Sequence, residues 1–284
     1  MKRTLGILGP RRHGLLGALV LLAAASASTA AADDGTGPLG VTAVVTATAP
    51  AARVGALFPA GRAVGLAGGH FCTASVVHSP HRDLIVTAAH CLAGKSGTFV
   101  FVPGYRDGEA PYGVWTVRRR FLPDRWADGR VDGRVEERTD GREDGRLEDS
   151  DVAFAVVEPQ GGGGDEGAEG AVGEKGVEDV VGANRFAAGV ATGATAVTVT
   201  GYPDAREVPV SCTDKPTTLG FRQQRVDCPD FSGGTSGSPW VNGDRQLVGV
   251  LGGHERGGNT ADISYSVVFG SEARELYEDA VRGF

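Results

Sequence analysis

Thr87-Ala88-Ala89-His90-Cys91 and, much further along the chain, Gly234-Thr235-Ser236-Gly237-Ser238-Pro239 decide how this sequence is read. A serine hydroxyl is a poor nucleophile at neutral pH; it needs an imidazole to take its proton and a third group to fix the imidazole's tautomer. Asp151, at the head of the apolar run Val152-Ala153-Phe154-Ala155-Val156-Val157, is available as that third group. The chain order is therefore His, Asp, Ser, which differs from the orders Asp, His, Ser and Ser, acid, His that carry the same chemistry on unrelated folds. Each residue has an alternative. Ser238 and Ser232 flank Ser236, but Ser236 alone has Gly-x before it and Gly-x-Pro after it. Asp149 and Glu148 stand beside Asp151 as rival carboxylates, and a lone histidine after an apolar strand is often a core side chain.

Taken together, the two motifs and their order resemble the chymotrypsin-like serine endopeptidases. Asp151-Val152-Ala153-Phe154 matches that family's pattern of Asp, branched aliphatic, Ala, apolar, which favours Asp151. Gly-Thr-Ser-Gly-Ser-Pro is closer to bacterial secreted, glutamyl-endopeptidase-like members than to digestive trypsins, which carry Gly-Asp-Ser-Gly-Gly-Pro. The resemblance covers residues 54–284 apart from two insertions. It implies an all-β fold of two six-stranded antiparallel β-barrels with a C-terminal helix, and an active site in the cleft between the barrels. It makes His90 the general base and acid, Asp151 its orienting partner and Ser236 the nucleophile. The backbone N–H groups of Gly234 and Ser236 become the oxyanion hole, whose turn needs a residue tolerant of unusual backbone angles. In the trypsin pattern the Asp before the serine receives a new N-terminal ammonium after activation. Thr235 carries no charge, so the oxyanion turn must be held by other means, although Arg53-Val54-Gly55 looks like a cut-and-insert site.

The chain has 284 residues, 41% of them hydrophobic, enough for one large all-β domain or two small ones. Its net charge of -7 leaves no basic footprint for nucleic acid. Lys2, Arg3, Arg11 and Arg12, an apolar stretch at 15–25 and small residues at 23–32 read as a signal peptide over 1–32, with cleavage and secretion to follow. Four cysteines in a secreted chain suggest two disulfides, and three pairings are formally open. The resemblance pairs Cys72 with Cys91, which leaves Cys212 with Cys228. Zinc is the competing use of Cys and His; the chain has no Cys-x-x-Cys, and His78 and His81 flank a proline in an expected hairpin loop. Neither a metal nor a cofactor is expected.

Residues 33–53 are small and read as a propeptide or disordered arm, so the protease domain is expected over 54–284. Short β-type runs recur at 72–77, 84–87, 98–102, 114–117, 152–157, 196–202, 219–226, 239–241, 247–251 and 263–268. Periodicity alone stops at an all-β chain of barrels or a sandwich. Residues 271–282 read as a helix with Ser271 as N-cap. The first insertion, 124–150, repeats Asp-Gly-Arg and reads as a solvated loop; its arginines and spacing argue against calcium. The second, 161–181, is Gly/Glu-rich and reads as a flexible loop.

Primary specificity has two pointers. Asp230 lies six residues before Ser236, the offset at which trypsins place the carboxylate at the base of their pocket, and this leans to cleavage after Arg or Lys. His254, beside the Gly252-Gly253 edge where a substrate backbone should pair, points instead to acidic residues, yet Leu251 stands where glutamate-specific members carry their pocket histidine. The expected partners are polypeptide substrates, with no nucleic acid, no membrane after leader removal, and a monomeric enzyme. A catalytically silent protease-fold binding protein is the alternative, disfavoured because all three triad positions hold competent residues. An esterase is disfavoured by chain order.

Overall fold

The computed structural model describes residues 38–62, 65–127, 147–160 and 175–283. The expected leader at 1–32 and the bulk of both insertions, 128–146 and 161–174, lie outside the described residues. The chain enters with a strand, β1 (Val41–Val44), then β2 (Val54–Pro59), β3 (Cys72–Val76), β4 (Leu84–Thr87), β5 (Phe99–Pro103), β6 (Trp115–Phe121) and β7 (Ala153–Pro159). Strands β2 to β7 close into an antiparallel barrel in the order β2-β3-β4-β7-β6-β5.

The unbroken apolar runs of this half follow from alternation, because successive side chains of a strand point to opposite faces. In β4, Ile85 joins a core with Leu57, Ala74, Val76 and Phe101, while Leu84 and Val86 join a second core with Leu247, Val267 and Phe269. In β7, Ala153, Ala155 and Val157 face the first core and Phe154 the second. Each face thus has its own apolar partner, so neither needs polar residues.

The second half contains β8 (Arg185–Phe186), β9 (Val197–Gly201), β10 (Val210–Asp214), β11 (Thr217–Leu219), β12 (Gln223–Asp227), β13 (Pro239–Asn242), β14 (Gln246–Val250) and β15 (Ile263–Val267). Its pairings form a six-stranded sheet, β1-β10-β9-β13-β14-β8, and a three-stranded sheet, β11-β12-β15. A bridge between Leu251 and Ser266 joins the two. The architecture is the chymotrypsin-like one. Closure by strand pairing is complete in the first barrel, whereas the second half is two sheets bridged at one point among the described residues.

Helices α1 (Ala89–Leu92), α2 (Asp124–Ala127), α3 (Val177–Val181) and the C-terminal α4 (Ser271–Arg282) accompany the strands. Helix α4 lies over the second core through Ala273, Leu276, Tyr277, Ala280 and Val281, with the Tyr277 ring stacked 4.5 Å from Phe186. Its N-cap is Gly270 without a side-chain cap, so Ser271 is the first helical residue, one position inside the expected cap.

Several expectations are corrected. Part of the supposed loose arm is structured: β1 pairs with β10 from Val41 opposite Thr213 to Val44 opposite Val210, and Ala52 is buried. The small residues there need little core, because β1 is held by ladder hydrogen bonds at a sheet edge. Val54 is buried at the head of β2, opposite Ser75. Residues 219–226 are two strands, split at a turn where Gly220 takes φ +65°. The ends of the insertions are anchored: Trp126 is buried in the first core, and Val177 and Val181, four residues apart on one face of α3, pack there too.

Candidate active site

The barrel register brings the histidine and the acid together. Thr87 at the end of β4 pairs with Ala153 at the start of β7, so the residues just beyond these ends, on α1 and before β7, become neighbours. A disulfide from Cys91 to Cys72 ties α1 to the start of β3, and a second joins Cys212 to Cys228. Both pairings are those the resemblance implies. Cys72, Cys91 and His90 place their ligand-type atoms within 4.8 Å of one another, but disulfide sulfur has no thiolate to offer a metal.

Asp151 is buried with 1% exposure and fully engaged. Its Oδ2 lies 2.7 Å from His90 Nδ1 and accepts the Gly253 N–H at 2.8 Å; its Oδ1 accepts the His90 N–H at 2.9 Å. Burial pushes this carboxyl up, but the neighbouring His90 and the hydrogen bonds from His90 and Gly253 outweigh it, and the net shift is downward. The rival carboxylates are used elsewhere. Asp149 accepts from the Gln223 carboxamide at 2.8 Å, and Glu148 accepts the Glu255 N–H at 3.2 Å.

The serine turn precedes β13 and is pressed onto the first barrel. Gly237, at φ +86°, has no room for a side chain: a Cβ there would sit 2.1 Å from Thr87 Oγ1 and 2.2 Å from the Thr73 carbonyl oxygen. Ser236 is half-buried, and its carbonyl accepts the Thr73 N–H at 2.8 Å and lies 3.7 Å from Cys91 Sγ. Its hydroxyl makes no hydrogen bond among the described residues. Ser238 is fully buried and its hydroxyl donates to the Thr235 carbonyl at 2.7 Å, so it is committed to the turn.

Gly234 also takes φ +86°. The carbonyl of Gly233 accepts the Asp204 N–H at 2.7 Å. A trans peptide is planar, so the Gly234 N–H on the other side of that bond points away from Asp204. Thr235 Oγ1 donates to the Ser232 carbonyl at 2.7 Å, a local bond within the turn.

The expected specificity residues fare differently. Asp230 is in the left-handed region at φ 69°, its side chain 60% exposed and 3.9 Å from Arg206. A solvated, partly neutralised carboxylate is not the buried base of a pocket, so the count back from Ser236 is not matched by burial at Asp230. Gly252 and Gly253 are buried rather than an open edge: Gly252 N–H donates to the Tyr265 carbonyl at 2.9 Å, and Gly253 serves Asp151. His254 rests edge-on against the Tyr265 ring at 4.9 Å, with Glu148 at 3.6 Å and Glu255 at 3.9 Å, so it already faces carboxylates of its own chain. Sequence reasoning overlooked Thr73, Gln223 and Asp204, whose partners are backbone groups or side chains distant in sequence.

Residues 72–250 match the profile of the trypsin-like peptidase domain. No curated protein matches the chain. Among solved structures, the protease Anisep from Arthrobacter nicotinovorans is 25% identical, with a TM-score of 0.63 over 85% of this chain and 99% of that one. The thermostable serine protease AL20 from an extremophilic microorganism is 25% identical, with a TM-score of 0.62 over 84% of this chain and 100% of its own. A Glu endopeptidase shares the fold at 16% identity, with a TM-score of 0.61 over 87% of this chain and 98% of that one. With its closed first barrel, its C-terminal helix and a matched profile spanning both motifs, the chain belongs to the trypsin-like peptidases and is a protease of the chymotrypsin-like fold.

Proposed function

We propose that the protein is a secreted serine endopeptidase working through His90, Asp151 and Ser236 by way of an acyl-enzyme. The observation that carries the triad is the Asp151 carboxylate, buried and bound to both the ring and the backbone of His90. With Nδ1 as donor to Asp151, the His90 Nε2 is left as the base that takes the Ser236 proton on attack and returns it to the leaving amine. The Gly234 and Ser236 N–H groups stabilise the developing oxyanion, the role for which fixed dipoles in a water-poor site are most effective. Secretion is supported by the leader-like start and by two disulfides, and among the described residues no helix is long and apolar enough to cross a membrane.

The preference for Arg or Lys rested on Asp230 and has lost that support, because the carboxylate is exposed beside Arg206. A peptide-library cleavage profile of the secreted protein, run beside Ser236→Ala, tests activity and specificity together. Cleavage by the wild type and none by the variant is the expected result. Equal cleavage by both, or by neither, contradicts the reading, and absence of cleavage by either combined with tight peptide binding identifies a catalytically silent binding protein.

A further inference from the structure

A serine protease needs the oxyanion N–H of Gly234 aimed before substrate arrives, and here the residue preceding the nucleophile cannot anchor the turn through an ion pair. Thr235 is buried, carries a hydroxyl, and spends it on Ser232. The orientation needs a further support, and a side chain outside the turn reaches the Gly234 carbonyl.

Thr73 sits in β3, in the first barrel, next to the disulfide-bonded Cys72, and it is fully buried. Its hydroxyl donates to the Gly234 carbonyl at 3.0 Å and accepts the Tyr202 N–H at 2.9 Å. One donor and one acceptor match the hydroxyl's single proton and a lone pair, so the arrangement is self-consistent. Its N–H donates to the Ser236 carbonyl at 2.8 Å, and its carbonyl accepts from Thr87 Oγ1 at 2.7 Å. Thr73 therefore touches the carbonyl of the oxyanion glycine, the carbonyl of the nucleophile and the strand end that leads to His90.

The geometry around Gly234 shows why this matters. The backbone of a glycine is set by the planes of its two flanking peptides, and glycine has no side chain to restrict them. The preceding plane is held through the Gly233 carbonyl by the Asp204 N–H. The following plane is held through the Gly234 carbonyl by the Thr73 hydroxyl at 3.0 Å, with a longer bond of 3.3 Å from its Thr235 N–H to the Ser232 carbonyl inside the turn. Together they fix the glycine in the left-handed region, with its N–H turned away from Asp204. We infer that Thr73 is a positioning residue for the oxyanion hole, its hydroxyl pinning the Gly234–Thr235 peptide from the opposite barrel in place of an ion pair within the turn. This rests on the serine-peptidase reading above.

Thr73→Val keeps the branched shape but removes the hydroxyl, leaving the Gly234 carbonyl and the Tyr202 N–H without this partner. The variant should lose about ten- to a hundredfold in kcat, with KM near the wild-type value, because the interaction acts on transition-state stabilisation. Thr73→Ser, which retains the hydroxyl, should recover activity to within about threefold. A substrate-derived peptide aldehyde, whose hemiacetal oxygen occupies the oxyanion hole, should bind Thr73→Val more weakly by the same factor as kcat falls. The matched peptide amide should bind both proteins alike. A merely structural role would lower aldehyde and amide binding together and would leave the amount of folded protein, not kcat, changed.

If Thr73→Val does not fold, Thr73→Ala gives the same aldehyde-against-amide comparison, with a smaller loss because water can enter. Unchanged kcat in the variants, or equal loss of aldehyde and amide affinity, overturns the inference. Fluorophosphonate labelling of the wild type is run in parallel. An unlabelled, inactive wild type overturns the peptidase reading and the inference with it, whereas an active wild type with an equally active Thr73→Val overturns the inference alone.

Discussion

At the scale of single residues, the site depends on which carboxylate meets the imidazole. Asp151→Asn keeps the size of the side chain but lets the ring adopt the wrong tautomer, and turnover should fall about ten-thousandfold, as in the corresponding change in this family. Asp149→Asn, whose partner is Gln223, should leave turnover near wild type; the opposite ranking in steady-state kinetics would move the acid to Asp149. The downward shift of the Asp151 carboxyl also predicts a pH dependence. Below the ordinary carboxylate value of about 3.9 and above the lowered folded value, the unfolded chain binds a proton that the folded chain does not, so stability rises with pH there. The contribution is fully present above that ordinary value and is lost as pH falls through the folded value. Denaturant titrations of Ser236→Ala, which prevents self-digestion, and of the same protein carrying Asp151→Ala as well test this. The stability gap between the two should hold until pH drops below the usual carboxylate range; a gap already closed near about pH 5 would contradict it. Asp230→Asn should leave any preference among substrate side chains unchanged in a cleavage profile, since its carboxylate is solvated. The contact between His90 and Asp151 and the tight turn around Ser236 were legible because each involves a short motif whose chemistry is local. Thr73 was not, because a threonine in a strand looks like a β-former and its hydroxyl partners lie 129 and 161 residues away.

At the scale of elements, alternation decides what can be changed. Phe154, fully buried, is packed 5.8 Å from Phe186 and 5.6 Å from Tyr277 by ring centroids, and so joins β7, the strand that begins just after Asp151, to α4. Phe154→Ala should cost about 3–5 kcal/mol by opening a cavity at this junction, measured by denaturant unfolding in the inactive Ser236→Ala background. A cost under about 1 kcal/mol would mean that α4 does not depend on this contact. The strong strands were readable from runs such as Leu84-Ile85-Val86 and Phe99-Val100-Phe101-Val102. Strands β1 and β11 and helix α3 were not, because their hold comes from pairing or docking rather than from their own apolar content. Val41, Val44 and all of β11 are exposed, and α3 contributes to the core chiefly through Val177 and Val181.

At the scale of the whole molecule, two halves meet along a seam where Thr73, Thr87 and Gly237 touch. Nothing in that seam, among the described residues, requires a buried terminal ammonium. Forms beginning at residue 37, 38 or 39 should therefore turn over alike; a large loss on shifting the start by one residue would show a terminus inserted near Ser236. Replacing residues 128–146 by a short Gly-Ser linker should preserve folding and activity on small peptides, provided Trp126 and Leu147 are kept, since both pack on the first core and loop-length entropy changes by only about 0.6 kcal/mol per doubling. The fold class was legible in the order of the motifs, which reports topology as well as chemistry. The specificity was not, because it depends on how turns bury or expose a side chain, and Asp230 and His254 occupy surroundings that no residue count discloses. The central claim, that Ser236 is the nucleophile activated by His90, is tested most directly by intact-protein mass spectrometry after exposure to a fluorophosphonate. One covalent adduct, mapped to Ser236 and absent in Ser236→Ala and in His90→Ala, is the result the account predicts. No adduct on the folded wild type, or an adduct on another serine, would contradict it.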